Sequence, residues 1–272
     1  MQKIFERILF IWSIRHPASG YVQGMNDLVT PFFVTYLSEY IPGHLLENVE
    51  KLQVSSLPDN TLREVEADSF WSLAKLLDSI QENYTFAQPG IQKLVHLLER
   101  LMARVDSDLH EHLSRNSVQY LHFSFRWMNN LLIRELPLRC IIRLWDSYFS
   151  EGAWVSAALP MTKKDTNETN DFAPSPSSAG GSSASGLVGD EIGHSSSSNF
   201  ETSTPFGCSF HLYVCAAFLK HWSKPLLKEK DFQGLMIMLQ NLPTNNWTEQ
   251  EIALIVADAY RLKNTYTPNH LK

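Results

Sequence analysis

The residue types and spacing best suited to chemistry in this chain lie in HPASGYVQGMND, His16 to Asp27, where a proline and two glycines break an apolar opening. Within it, Tyr21-Val22-Gln23-Gly24-Met25-Asn26 sets a glutamine right after a turn and at the start of an apolar run. Glutamine has no useful acid or base chemistry. Its amide does carry a donor and an acceptor together, which suits orienting an attacking water while hydrogen-bonding a phosphoryl oxygen. Gly24 removes the side chain that would hold another backbone at a distance. The residues also allow a simpler reading, in which Tyr21 and Gln23 cap and pack a helix start, and spacing alone favours it.

Other chemistries find little support. The sequence has no Gly-x-x-x-x-Gly-Lys phosphate loop, Gly-x-Gly-x-x-Gly, Gly-x-Ser-x-Gly elbow or His-Glu-x-x-His, and His110 to His112 (HEH) has the wrong spacing for a helix-borne zinc pair. The ten histidines are scattered. Three cysteines, Cys140, Cys208 and Cys215, without a Cys-x-x-Cys pair suggest neither a disulfide framework nor a zinc ribbon, and point to a reducing compartment. A net charge of −6, with the 23 Lys and Arg residues spread along the chain, provides no basic field for a nucleic acid. No cofactor and no metal are expected. Arg143 and Asp146 fit an ordinary i, i+3 helix pair, and Arg15 a solvated helix end.

The elements that must position Gln23 are helical. Ile4, Ile8, Leu9 and Trp12 share one helical face, and a second helix is expected from about Val22 toward Tyr40. Phe70, Leu73, Leu77 and Ile80 keep the same period, as do Ile91, Leu94, Leu98, Leu101 and Val105. Thr61 with Glu64, and Thr248 with Glu251, read as capping boxes, while Pro89 and Pro137 suit helix starts. Trp71, Trp127, Trp145 and Phe125 read as helix packing. Asn129 and Asn130 interrupt an apolar helix, either to bridge buried backbone groups or to face a partner. With no convincing alternating strand, the fold class is all-α. At 44% hydrophobic, 272 residues suffice for a sizeable core. No apolar run reaches the length of a membrane span and the opening helix lacks a cleavage site, so a soluble cytoplasmic protein is expected.

One segment departs from the helical series. From about 150 to 207 the composition turns to Ser, Gly, Ala, Pro, Thr and Asn, and it is expected to be a disordered insertion. It separates helical parts at 1–149 and 208–272, and reads as a passive loop.

SGYVQGMNDLVTPFF resembles the Tyr-x-Gln-Gly motif of the TBC-domain Rab GTPase-activating proteins. EADSFWSLAKLLDSIQENY, RWMNNLLIRELPLRCIIRLWDSY and FHLYVCAAFLKHW agree with the same family in the same order, about the C-terminal two thirds of such a domain. The resemblance implies an all-helical domain that docks on a GTP-loaded Rab small GTPase and acts in vesicle traffic, peripherally at Golgi or endosomal membranes. GTP and Mg belong to the partner, so the chain has no active site of its own. Gln23 takes the place of the family's catalytic glutamine, with Tyr21, Gly24 and Asn26 at the partner surface. The family also supplies an arginine from Ile-x-x-Asp-x-x-Arg, upstream of the glutamine, and no such pattern precedes Gln23 in this sequence. Ile255 to Arg261 (IVADAYR) satisfies it, but follows the glutamine and is read as chance; Arg7 and Arg15 match no motif. The resemblance therefore leads to an activator impaired by the lack of that arginine, or alternatively a non-catalytic Rab-binding or scaffold module.

Overall fold

In the computed structural model, residues 1–41, 57–152 and 208–266 are described, and among them the secondary structure is helical without strands. The eleven helices are α1 (Gln2–Arg15), α2 (Met25–Leu37), α3 (Asp59–Ser79), α4 (Pro89–Val105), α5 (Ser107–Arg115), α6 (Leu121–Asn130), α7 (Leu138–Gly152), α8 (Cys208–His221), α9 (Ser223–Leu226), α10 (Phe232–Gln240) and α11 (Glu249–Tyr266). A short 3-10 turn spans Gln81–Asn83. The all-α expectation holds. The expected insertion lies outside the described residues, apart from positions 150–152, which continue α7.

The predicted faces become the core. Ile4, Ile8 and Trp12 of α1 are buried, as are Leu73 and Leu77 of α3 and Ile91, Leu94, Leu98 and Leu101 of α4. Each fully buried large side chain contributes roughly 1.5–3 kcal/mol of transfer free energy. α2 sits centrally: Met25, Leu28, Val29, Phe33, Val34 and Leu37 are fully buried, and the helix packs on α1, α3, α6 and α7. Its interior Pro31 has no N–H to give the Asp27 carbonyl, a loss this packing tolerates. The helices after position 207 share the same core, with α8 against α4 and α11, and α11 also against α7.

Several local expectations change. α2 begins at Met25, because Gly24 at its N-cap has φ 106° and cannot continue a helix back to Val22. Thr61 is no cap: α3 starts at Asp59 after Pro58, and Glu64 instead accepts from Asn60 Nδ2 at 2.8 Å. The Thr248 box does form, with Glu251 Oε2 accepting from the Thr248 amide at 2.6 Å and Gln250 N–H donating to Thr248 Oγ1 at 3.3 Å. Trp127 and Trp145 are core residues, whereas Trp71 is 61% exposed and Phe125 37%. The helical period placed Trp71 on α3, but among the described residues its ring stays largely uncovered, with Phe70 beside it and the Arg15 guanidinium 5.8 Å above. Arg143 donates to Ser147 Oγ at 3.1 Å, one position further along the helix than the expected Asp146.

Candidate functional site

The segment from His16 to Gly24 carries the chain from α1 to α2. His16 closes α1 by donating from Nδ1 to the Trp12 carbonyl at 2.9 Å, and its ring stacks on Trp12 with centroids 4.3 Å apart. Ser19 and Gly20 then turn back onto the His16 carbonyl. Two left-handed glycines, Gly20 at φ 59° and Gly24 at φ 106°, bracket Tyr21, Val22 and Gln23. Met25 N–H donates to the Val22 carbonyl at 3.2 Å, so Gln23 and Gly24 are the two central residues of a tight turn. A positive φ at the second central position characterises a type II turn and calls for glycine, which is the physical reason for Gly after Gln at this point of the chain.

That turn presents Gln23 to solvent. Its side chain is exposed and its amide makes no hydrogen bond among the described residues. Tyr21, half exposed, donates its hydroxyl to Asn26 Oδ1 at 3.2 Å and so spans the turn, while Asn26 Nδ2 donates to Asp27 Oδ1 at 2.8 Å. The four residues singled out from the sequence are thus brought together. Beside them opens an apolar groove lined by Phe5, Leu9, Phe10, Tyr21 and Asn26.

Beneath the turn lies the C-terminal end of α6. Asp27, in the first turn of α2, accepts at Oδ2 from Asn130 Nδ2 at 2.9 Å and from Arg134 Nε at 2.5 Å. Because a carboxylate only accepts, Asn130 must turn its nitrogen to Asp27 and its oxygen to Asn129 Nδ2, which it meets at 2.7 Å. This orientation leaves Asn129 Oδ1 buried without a hydrogen-bond partner among the described residues. A Cβ placed on Gly24 would stand 2.9 Å from Asn129 Nδ2 and 3.0 Å from Asn130 Oδ1, so the backbone after Gln23 rests on a floor of two amides. Asn129 and Asn130 are buried and so do not face a partner, and the bonds their amides make are to each other and to Asp27, not the bridges to backbone groups that the sequence also suggested.

The floor is itself firmly held. Carbonyls at a helix C-terminus lack intrahelical donors. Buried side chains from other elements supply them: Tyr84 donates to Asn129 O at 2.6 Å, Trp145 of α7 to Leu131 O at 3.2 Å, and His211 of α8 to Trp127 O at 3.2 Å. Leu131 and Leu132 both take positive φ, 50° and 65°, a strained pair that surrounding structure must enforce. Sequence reasoning passed over Asp27 and Arg134. The available signal was a carboxylate three positions into an apolar helix.

Arg7 and Arg261 are engaged away from this turn. Arg7 forms a two-pronged pair with Glu66 of α3, at 2.7 and 2.5 Å, and Arg261 pairs with Asp258 along α11 at 3.1 Å. No group of three or more metal-ligating side chains occurs among the described residues, and His112 instead donates from Nε2 to the Glu229 carbonyl at 2.9 Å. No helix among them is long and apolar enough to cross a membrane.

A profile of the Rab-GTPase-TBC domain family matches residues 1–168, more than half of the chain. The chain belongs to that family. It is 51% identical to human TBC1 domain family member 22B over 275 residues, all of this chain and 43% of that protein. It is 40% identical to the GTPase-activating protein GYP1 of Saccharomyces cerevisiae over 283 residues, 98% of this chain and 43% of that one. The solved Ypt/Rab-GAP domain of Gyp1p superposes with a TM-score of 0.74 at 37% identity, covering 98% of this chain and 66% of the other. The TBC-domain chain thus spans less than half the length of these two curated relatives.

Proposed function

We propose that this TBC domain serves GTP hydrolysis by a Rab-type small GTPase, with Gln23 entering the partner's nucleotide site to orient the attacking water. The reading is carried by one observation: an amide exposed at the head of a tight turn, without a hydrogen-bond partner among the described residues, on a backbone held from beneath. An amide so placed forgoes intramolecular hydrogen bonds and is free to make both of its contacts in another protein's active site. Family membership and the relative's printed name, GTPase-activating protein, point the same way. The apolar groove shared with Tyr21 and Asn26 gives the partner a surface to cover. GTP and Mg belong to the partner, and the chain supplies no nucleophile.

An arginine finger is worth roughly 10³ to 10⁵ in rate. Assayed as these 272 residues, with no Ile-x-x-Asp-x-x-Arg ahead of Gln23, stimulation is expected to be weak. The deciding experiment is single-turnover GTP hydrolysis by a panel of Rabs, with and without the chain, repeated with Gln23→Ala. Stimulation abolished by the substitution supports the glutamine role. Stoichiometric binding to a GTP-loaded Rab without stimulation would make these 272 residues at most a binding module, with activity to be sought in a chain that supplies the arginine motif.

A further inference from the structure

Gln23 is exposed, so its own packing cannot fix where its amide points. Any precision it has must come from the backbone beneath, and that backbone rests on the end of α6. Two independent contacts make the tie: the Asn130 amide donates to Asp27, three residues after Gly24, and the Asn129 and Asn130 amides lie against Gly24 itself. Asn130 takes part in both and is buried. Resting on the proposed role of Gln23, we infer that Asn130 is a positioning residue for Gln23, holding the Val22–Met25 turn in register with α6 through Asp27.

The chemistry makes a reversible test available. Asn130→Asp replaces the donor facing Asp27 with a second carboxylate, so attraction becomes repulsion at hydrogen-bond distance. Combining it with Asp27→Asn restores a donor facing an acceptor with the polarity reversed, at the loss of the contact that the half-exposed Arg134 makes to the same Asp27 oxygen. A residue acting only on general stability would respond in melting temperature, and would not separate the maximal rate from the half-saturating concentration.

The full chain, its Asn130→Asp variant, the Asp27→Asn/Asn130→Asp exchange and Gln23→Ala are compared in their stimulation of GTP hydrolysis by a Rab and in backbone hydrogen exchange of residues 21–26. Asn130→Asp is expected to lower the maximal rate about tenfold, since small misplacements of a positioned group cost that much or more, with the half-saturating concentration changed less than about threefold. Exchange at the turn should quicken, and the double exchange should recover much of both. If Asn130→Asp does not fold, Asp27→Ala at its partly exposed position carries the same expectations. Wild-type exchange and wild-type maximal rate in a folded variant would overturn the proposal while leaving Gln23 in its role. A Gln23→Ala chain as active as the parent would overturn the reading of Gln23, and the role of Asn130 with it.

Discussion

Gly24 and Asn129 meet so closely that a Cβ on the glycine would lie 2.9 Å from the asparagine Nδ2. Gly24 also has φ 106°, which L side chains rarely adopt. Gly24→Ala is therefore strained in conformation and in space, and is expected to lose about 1–3 kcal/mol in denaturant unfolding. Stimulation of a Rab should fall with it, because the clash displaces the turn that carries Gln23. An unchanged unfolding midpoint would show that the floor yields easily.

Arg126 and Glu135 form a second tie from α6, into the loop before α7, through Nε–Oε1 at 2.5 Å and Nη2–Oε2 at 2.8 Å. The Glu135 side chain is nearly inaccessible, and burial pushes its carboxyl above the usual range although the guanidinium pulls it down. Removing only the cation strands a buried carboxylate, so Arg126→Ala should cost about 3–5 kcal/mol. Arg126→Met with Glu135→Leu should cost clearly less. If the double variant unfolds as easily as the single one, lost packing rather than lost charge is responsible.

His211 supplies a pH dependence. Its Nε2 donates to the Trp127 carbonyl, so Nδ1 accepts from the Tyr148 hydroxyl at 2.7 Å and the ring is neutral. Burial lowers its pKa from 6.5 to about 4. Between these values the unfolded chain binds a proton that the native state refuses, so stability is fully present above about 6.5 and is lost as pH falls toward 4, by on the order of 3 kcal/mol in total. In urea unfolding, His211→Gln is expected to be less stable at pH 7 but to have a flatter dependence from pH 7 to 5. Parallel slopes for the two chains would assign the acid sensitivity to other groups.

Arg7 and Arg261 are satisfied by intramolecular carboxylates at the surface. Exposed ion pairs contribute little to stability, because solvent screens them and ordering two long side chains costs entropy. Arg7→Ala and Arg261→Ala should each change stability little and leave any Rab stimulation at the parent level. A large loss of stimulation in Arg261→Ala would make IVADAYR a functional motif after all.

The helical class was legible because burial imposes a period, and Ile91, Leu94, Leu98 and Leu101 obey it whatever they pack against. The glycines marked the Gln23 stretch as a break in the helices, but Gln23 was expected right after the turn and lies within it, because Gly24 takes a positive φ. Periodicity could not say which faces find a neighbour. Trp71 was read as helix packing, yet it is 61% exposed among the described residues. Nor could it show what Asn129 and Asn130 do, since their contact with Gly24 and Asp27 spans over one hundred positions of chain. By itself the sequence determined local quantities, the helix periods and the Thr248 cap, because these depend on residues a few positions apart. Only the tertiary structure decided what lies under the turn, because Asp27 and Asn130 become partners only once α2 and α6 are packed in one core.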